Sequence, residues 1–154
     1  MPEIHGWRLT KTKYIDSALD GFGSGKYGGR WNHKGFPVAY CGTCASLTVL
    51  EVFVNTRTDK LRKVPYSILF FTLDVPNYLQ VNKDDLPENW LQSAYPQFTK
   101  NFGTAWIKGA KTPVLYVPSA VVPQDYDLLV NPRHPDLQIK DWHSEEFRFD
   151  SRMF

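Results

Sequence analysis

The chain has 154 residues, a formal net charge of +2, 42% hydrophobic residues and 22% charged residues. These values are typical of one globular domain, which we expect to span residues 1–154. The near-balanced charge gives no basis for direct nucleic-acid binding, and no apolar run approaches the roughly 18 residues that a membrane helix needs. The N-terminal sequence lacks the layout of a signal peptide, and two cysteines provide no disulfide framework, so we expect a cytoplasmic protein.

Residues 21–32, GFGSGKYGGRWN, include five glycines. Three of them match the G-x-G-x-x-G spacing of dinucleotide-binding loops. The match lacks its context, because no buried strand precedes it and no helical periodicity follows it. A P-loop is also excluded, since the lysine of this segment is followed by tyrosine rather than serine or threonine. We predict a flexible loop whose glycines permit positive φ and which ends in Arg30.

The remaining elements follow in chain order. Hydrophobic runs predict strands at 36–41, 66–75, 114–117 and 126–130. A helix is predicted over residues 44–55, CASLTVLEVFVN, with Thr43 or Ser46 as its N-cap.

Three further segments carry weaker patterns. The basic cluster at 57–63 predicts a solvated turn, and residues 87–95 predict a short helix anchored by Trp90 and Leu91. The C-terminal EEFRFDSRMF alternates as an outer strand does. Long loops, 11 prolines and mixed short strands together predict an α+β fold with a mainly antiparallel or split sheet.

Glu51 is the most informative polar residue of the predicted helix. Its neighbours at i−4 and i+3 are Leu47 and Val54, and Leu50 lies beside it, so the carboxylate falls on an apolar stripe. Two interpretations are open. The side chain either lies at the edge of the stripe with its carboxylate in water, or lines a cavity in which a buried carboxylate is useful.

Arg30 and Tyr40 are the next candidates. An arginine at the end of a glycine-rich loop can bind an anionic group that backbone amides also approach, but it is equally an ordinary surface residue. Tyr40 lies in the short strand just before the helix that carries Glu51, so it either faces the same space or belongs to the core.

Cys41 and Cys44 form a C-x-x-C motif where a strand passes into a helix, which is the arrangement of thioredoxin-like thiols. The βαβ unit that such a fold needs before the motif is missing, so small packed cysteines are the alternative. There is no second cysteine pair for zinc, and we expect no metal site. Ser119 is not in a G-x-S-x-G nucleophile elbow, and His134 in NPRHPD is expected to end a turn.

Taken together, these segments resemble the RES-domain family, named for an arginine, a glutamate and a serine. The resemblance lies in GGRWNHKGFPVAYCGTCASLTVLEVFV, TPVLYVPSAVVP and LLVNPRHPD, with FRFDSRMF as a similar ending. The family's functional positions fall on Arg30, Tyr40, Glu51 and Ser119. One departure is visible, because Asp127 stands where the family often has asparagine.

The resemblance implies a bacterial toxin of a toxin–antitoxin pair, with a single domain related to ADP-ribosyltransferases and a split, mainly antiparallel sheet with flanking helices. It implies cleavage of the nicotinamide–ribose bond of NAD⁺, which is a substrate and not a cofactor, with water or inorganic phosphate as acceptor. The implied partner is a helix-turn-helix (Xre-type) antitoxin that covers the active site.

The implied roles agree with the residue types. Glu51 would stabilise the oxocarbenium-like transition state, Arg30 would bind a phosphate of the dinucleotide, and Tyr40 would stack on nicotinamide. Ser119 would orient the ribose or nicotinamide by hydrogen bonding. Two alternatives stay open: a protein ADP-ribosyltransferase that uses the same residues, and a non-catalytic or thiol redox domain that uses CGTC.

Overall fold

A computed structural model describes residues 3–154, so residues 1 and 2 of the predicted domain lie outside the description. The strands are β1 (Glu3–Lys11), β2 (Ala39–Gly42), β3 (Tyr66–Asp74), β4 (Leu79–Gln80), β5 (Val114–Pro118), β6 (Tyr126–Val130) and β7 (Gln138–Phe147). The α-helices are α1 (Phe22–Tyr27), α2 (Ala45–Asn55), α3 (Thr58–Lys63) and α4 (Gln97–Gly109). Short 3-10 helices occupy Thr12–Ser17, Lys83–Asp85, Glu88–Leu91 and Ser151–Met153.

The strands form one sheet in the order β4-β5-β6-β2-β1-β3-β7. Every pairing is antiparallel except that of β4 with β5. Strands β1 and β2 share a single register pair, Trp7 with Gly42, so the sheet consists of two extensively paired halves that meet at a narrow junction. The α+β prediction with a mainly antiparallel sheet is confirmed.

The two faces of the sheet are covered differently. On one face, Leu69, Phe71 and Leu128 belong to a fully apolar core that is closed by the segment around Ile15 and Ala18. The other face carries the α-helices. One helix-side cluster includes Trp31, Trp106, Leu115 and Leu129, with Tyr40 packed against it, and the second includes Leu9, Leu61 and Ile68, packed by side chains of α2. Tyr40 and α2 therefore lie on the same side of the sheet.

The strands predicted from hydrophobic runs are present as β2, β3, β5 and β6, and the helix predicted at 44–55 is present as α2. Its predicted cap was wrong. The N-cap residue is Cys44, without a side-chain capping bond, and the Thr43 hydroxyl instead donates to the carbonyl oxygen of Tyr126 at 2.8 Å. Thr43 thus ties the start of α2 to β6.

Three weaker predictions need correction. The basic cluster is not a turn but contains helix α3, which buries Leu61. The helix predicted at 87–95 is only the 3-10 turn Glu88–Leu91, in which Trp90 is buried and Leu91 is exposed. The C-terminal strand β7 is an edge strand, but it begins at Gln138 and ends at Phe147, before the residues that the alternation also covered.

Two long elements were not predicted at all. Strand β1 lies between β2 and β3 at the centre of the sheet, and α4 is a 13-residue helix. The sequence of α4 contains Gly103, which lowers helix propensity by about 1 kcal/mol relative to alanine. The structure explains this glycine, because a Cβ there would overlap the carbonyl oxygen of Trp31.

Among residues 3–154, no helix has the length and apolar character required to cross a bilayer.

Candidate active site

Glu51 projects from the middle of α2 and is half-buried. Its Oε1 accepts a hydrogen bond from Ser119 Oγ at 2.5 Å, a contact that joins residues 68 positions apart in sequence. A hydrogen bond to a carboxylate is among the stronger ones in proteins. The helix and the end of β5 therefore meet at this carboxylate.

Ser119 follows β5 directly and is fully buried. Its Oγ accepts hydrogen bonds from the backbone N–H groups of Val121 and Val122, at 3.1 and 3.0 Å. A hydroxyl has one proton and two lone pairs, so the two amides fill the acceptor positions and the proton is committed to Glu51. Ser119 holds Glu51 in place and has no exposed surface for a ligand.

Asp127 lies near the start of β6, opposite Gly42 of β2 and Val117 of β5. Burial raises its pKa far above that of an ordinary aspartate, and a hydrogen bond to Glu51 and the charge of Glu51 raise the pKa further. Its Oδ1 is buried and has no hydrogen-bond partner in residues 3–154. We call Glu51, Ser119 and Asp127 the carboxyl cluster.

Arg30 is the second predicted site residue, and it lies in residues 28–32, which we call the arginine loop. Its Nη1 donates to the carbonyl oxygens of Trp90 and Gln92, at 2.7 and 2.9 Å. Its guanidinium also lies 5.0 Å from the centre of the Tyr95 ring, in a cation–π contact. Within residues 3–154 both hydrogen bonds of Arg30 use Nη1, which leaves Nε and Nη2 available to an anion.

Tyr40 holds the arginine loop in place through its hydroxyl. The Tyr40 Oη donates to Asn32 Oδ1 at 2.5 Å and accepts from the backbone N–H of Trp31 at 2.9 Å. Asn32 is fully buried, and its Nδ2 donates to the carbonyl oxygens of Ser24 and Phe36. Burial raises the pKa of Tyr40 well above its usual range, so the hydroxyl stays protonated.

The segment that precedes the arginine loop differs from the prediction of a flexible loop. Residues 22–27 form the short helix α1, and the glycines on either side of it, Gly21 and Gly28, take positive φ as expected. At Gly29 a Cβ would lie 2.7 Å from Tyr40 Oη and 2.9 Å from Asn32 Oδ1. The hydrogen bond between these two side chains therefore requires glycine at this position.

The arginine loop and the carboxyl cluster are electrostatically linked. Burial lowers the pKa of Arg30, while the acidic groups of Tyr95, Tyr40 and Glu51 oppose that shift. Asp127 in turn adds to the rise in the pKa of Tyr40. Arg30 is therefore within electrostatic reach of both Tyr40 and Glu51, and Ser119 is in direct contact with Glu51.

The apolar stripe predicted around Glu51 is only partly correct. Leu47 is buried, but Leu50 and Val54 are exposed at 37% and 56%. The side chains of α2 that pack on the sheet include Val49, Val52 and Phe53 instead. The helix is therefore rotated about its axis relative to the prediction, and its adjacent side faces β1 and β2. Glu51 lies at the border between the buried flank and solvent.

The two cysteines are free thiols in different environments. Cys41 is buried within β2, where burial raises the pKa of its thiol to about 12, and Cys44 is exposed. A thiol with a raised pKa supplies almost no thiolate at neutral pH, and the thiolate is the reactive form. No group of three or more His, Cys, Asp or Glu in residues 3–154 is arranged to hold a metal ion.

His134 has a structural role in the NPRHPD segment, as predicted. Its Nε2 lies 2.7 Å from the carbonyl oxygen of Ala110, and its Nδ1 accepts from the backbone N–H of Asp136 at 3.0 Å. The ring thereby fixes the turn after β6 to the end of α4.

A concavity of about 600 Å³ lies elsewhere. It is lined by Ile4, Tyr78, Tyr116 and Tyr126 among others, and none of the four predicted site residues lines it.

Sequence reasoning missed two residues of the site. Asn32 was treated only as part of the glycine-rich segment, because an asparagine between tryptophan and histidine gives no local signal of a tertiary hydrogen bond to Tyr40. Asp127 was noted as a departure from the family pattern, but its contact with Glu51 depends on the pairing of β6 with β2 and could not be read from spacing.

Comparisons with known proteins agree on one family. The RES domain model matches residues 5–150. A protein of Photorhabdus laumondii named Toxin Res is 35% identical over 151 residues, covering 96% of this chain and 95% of its own length. Toxin Res of Yersinia enterocolitica is 32% identical, covering 96% and 97%. The Prs ADP-ribosylating toxin of a Sphingobium species is 30% identical, covering 96% and 94%.

Proposed function

The chain belongs to the RES-domain family, and we propose that it is a toxin enzyme that depletes NAD⁺ by cleaving the bond between nicotinamide and ribose. The relatives named as toxins match it over nearly their whole length, which supports the toxin assignment. The chemistry rests on this chain's own residues, above all on one contact.

That contact is the hydrogen bond from Ser119 Oγ to Glu51 Oε1. It fixes a half-buried carboxylate that lies within electrostatic reach of the Arg30 guanidinium. Nicotinamide in NAD⁺ is a cationic leaving group and needs no general acid. The ribose carbon becomes positively charged as the bond breaks, so a preorganised carboxylate beside it lowers the barrier.

Glu51 would therefore stabilise the oxocarbenium-like state and hold a ribose hydroxyl. Arg30 would bind the pyrophosphate through Nε and Nη2, since Nη1 already bonds to two carbonyl oxygens. Tyr40 would offer its ring to nicotinamide, because its hydroxyl is engaged within the arginine loop. Ser119 would act through Glu51 and not by touching the substrate.

A protein ADP-ribosyltransferase is the second candidate. The observation that favours it is the Sphingobium relative, which is named an ADP-ribosylating toxin. The same carboxylate would serve both reactions, since they share the bond that breaks and differ only in the acceptor. Under either activity, the proposed partner is a helix-turn-helix antitoxin of the Xre type that covers the arginine loop and the carboxyl cluster.

The deciding experiment is to incubate the purified, antitoxin-free protein with NAD⁺, with and without inorganic phosphate, and to resolve the products by mass. Release of nicotinamide with free ADP-ribose would identify water as the acceptor, and ADP-ribose 1″-phosphate would identify phosphate. ADP-ribose found only on added cell proteins would establish the second candidate. Intact NAD⁺ and unlabelled proteins would contradict both.

A further inference from the structure

The concavity of about 600 Å³ lies on the face of the sheet opposite to the candidate active site. Two of its lining residues mark that face, because Ile4 belongs to the core cluster on the side without α-helices and Tyr116 packs against it. Tyr126 points the same way, since it lies two positions before Leu128 of that cluster on β6. We call this concavity the tyrosine pocket.

Aromatic side chains form much of the wall of the tyrosine pocket. Tyr78, Tyr116 and Tyr126 all line it. The rings of Tyr78 and Tyr116 stand at 87° to each other with their centres 5.3 Å apart, and Tyr78 is 50% exposed. The volume of the pocket falls within the range of roughly 300–1,000 Å³ that is typical of small-molecule sites. Aromatic faces of this kind attract cationic groups.

The charged residues of the tyrosine pocket are both acidic. They are Glu3 and Asp125, and no lysine, arginine or histidine of residues 3–154 is part of its lining. Glu3 Oε2 already pairs with Lys140 Nζ at 2.8 Å, whereas none of the ion pairs within residues 3–154 involves Asp125. The Asp125 carboxylate therefore places a negative charge beside the rings. Such a pocket repels phosphate groups and is unsuited to NAD⁺.

Hydrogen bonds fix part of this wall in the folded chain. The carbonyl oxygen of Tyr126 accepts from Thr43 Oγ1 at 2.8 Å. The backbone of Asp125 accepts from the N–H of Ser119 and donates to the carbonyl oxygen of Val122, both at 2.9 Å. A site whose walls are already ordered loses little conformational entropy when a ligand binds.

We propose that the tyrosine pocket is a binding site for a small organic cation, in which the rings of Tyr78 and Tyr116 contact the cationic group and the Asp125 carboxylate balances its charge. An ammonium or guanidinium group on an apolar body is the ligand class that these residues fit. The proposal goes beyond NAD⁺ cleavage and does not depend on it, because the pocket shares no lining residue with the arginine loop or the carboxyl cluster.

Choline tests the proposal, because its quaternary ammonium group is a permanent cation. Dimethylbutanol, in which carbon replaces the nitrogen, is an uncharged probe of the same shape. We would titrate the protein with each compound in the absence of NAD⁺ and follow NMR chemical shifts. We expect choline to bind with a Kd of about 1 mM or tighter, and dimethylbutanol to bind about 10-fold or more weakly.

Two substitutions locate the bound cation. Tyr78→Leu keeps an apolar side chain but removes the ring, so we expect it to raise the Kd for choline about 5-fold or more. Asp125→Asn keeps the size of the side chain but removes its charge, so we expect the Kd to rise about 3-fold. Glu51→Gln is the matched control, because it removes a carboxylate from the other face of the sheet, and its Kd for choline should equal that of wild type.

Three results would overturn the proposal. One is the absence of saturable choline binding at concentrations about 10-fold above the expected Kd. Another is equal binding of dimethylbutanol and choline, which would remove the role of charge. The third is a Kd raised by Glu51→Gln but not by the substitutions of Tyr78 and Asp125, which would place the cation at the carboxyl cluster. Because the titration contains no NAD⁺, its result stands even if the protein does not cleave NAD⁺.

Discussion

The arginine loop and the carboxyl cluster are the two parts of one candidate site, but they are stabilised in opposite ways. In the arginine loop, most of the hydrogen bonds join a side chain to a backbone group, as those of Arg30 do to the carbonyl oxygens of Trp90 and Gln92. In the carboxyl cluster, Glu51 is held by the Ser119 side chain, and the buried Asp127 Oδ1 has no hydrogen-bond partner among the described residues. The arginine loop therefore fixes the position of the Arg30 guanidinium, whereas the ionisable side chains of the carboxyl cluster determine the charge of the site.

This difference predicts that substitutions in the two parts have separable effects. Changes in the carboxyl cluster should alter turnover and its pH dependence. Changes in the arginine loop should alter substrate binding or the free energy of unfolding.

Outside Glu51 itself, the largest effect is expected for Arg30→Ala. Removal of a charge-assisted bond to the pyrophosphate should lower kcat/KM for NAD⁺ about 100-fold, mostly through KM. Arg148→Ala is the matched control, because Arg148 has 87% of its side chain exposed and pairs with Glu146 at the surface. Steady-state kinetics would check this, and an unchanged KM would remove the phosphate-binding role of Arg30.

Ser119→Ala tests the carboxyl cluster. The substitution removes the bond to Glu51 and leaves the amides of Val121 and Val122 without their acceptor. We expect kcat to fall about 10-fold with KM little changed, because Ser119 is fully buried. A raised KM with unchanged kcat would instead indicate that Ser119 contacts the substrate, as the family resemblance implied.

Gly29→Ala tests the arginine loop. The added Cβ would press on Tyr40 Oη and Asn32 Oδ1, so we expect the free energy of unfolding to fall by about 1–3 kcal/mol. Gly23→Ala is the control, since a Cβ there would meet no heavy atom of residues 3–154 within 4 Å beyond its chain neighbours and the local helix backbone. Urea unfolding of both variants gives the comparison. Equal free energies of unfolding for the two variants would mean that the contact between Tyr40 and Asn32 tolerates a Cβ at position 29.

The smallest effect concerns stability and pH. The pKa of Asp127 is raised above its ordinary value of 3.8, so the folded protein holds a proton that the unfolded chain has released. Wild-type stability must then decline as pH rises from about that value towards the raised pKa. Asp127→Asn escapes this loss, and its advantage in the free energy of unfolding should grow to about 1 kcal/mol or more at neutral pH.

Urea unfolding at about pH 4, 6 and 8 would measure this advantage. A constant difference between the two proteins across these conditions would contradict the raised pKa of Asp127.

Elements whose structure follows from the local sequence pattern could be predicted, and elements that depend on distant parts of the chain could not. Strand β3 was predictable because YSILFFTLD is a continuous apolar run that is buried along nearly its whole length. Strand β1, EIHGWRLTK, mixes charged, apolar and glycine residues, and only its position between β2 and β3 makes it a strand. Helix α4 was missed because Gly103 lowers its helix propensity, and this glycine is explained only by a tertiary contact, the close approach of the Trp31 carbonyl group.

The same holds for the candidate site, where residue identities could be predicted but long-range contacts could not. Arg30, Tyr40, Glu51 and Ser119 could be named from the family resemblance and from their residue types. Their bonding could not, since Ser119 meets Glu51 across 68 positions, and the effect of Glu51 on the pKa of Asp127 arises only in the folded sheet. The roles of these residues in NAD⁺ cleavage stay predictions.

The most direct measurement of the central claim is the rate of NAD⁺ loss by Glu51→Gln beside wild type and Glu145→Gln, in which an exposed glutamate of β7 is changed in the same way. Glutamine keeps the size of Glu51 but removes its charge, so the account predicts a loss of about 100-fold or more in kcat with Glu145→Gln at wild-type rate. Full NAD⁺ consumption by Glu51→Gln would contradict the assignment of Glu51 as the catalytic carboxylate.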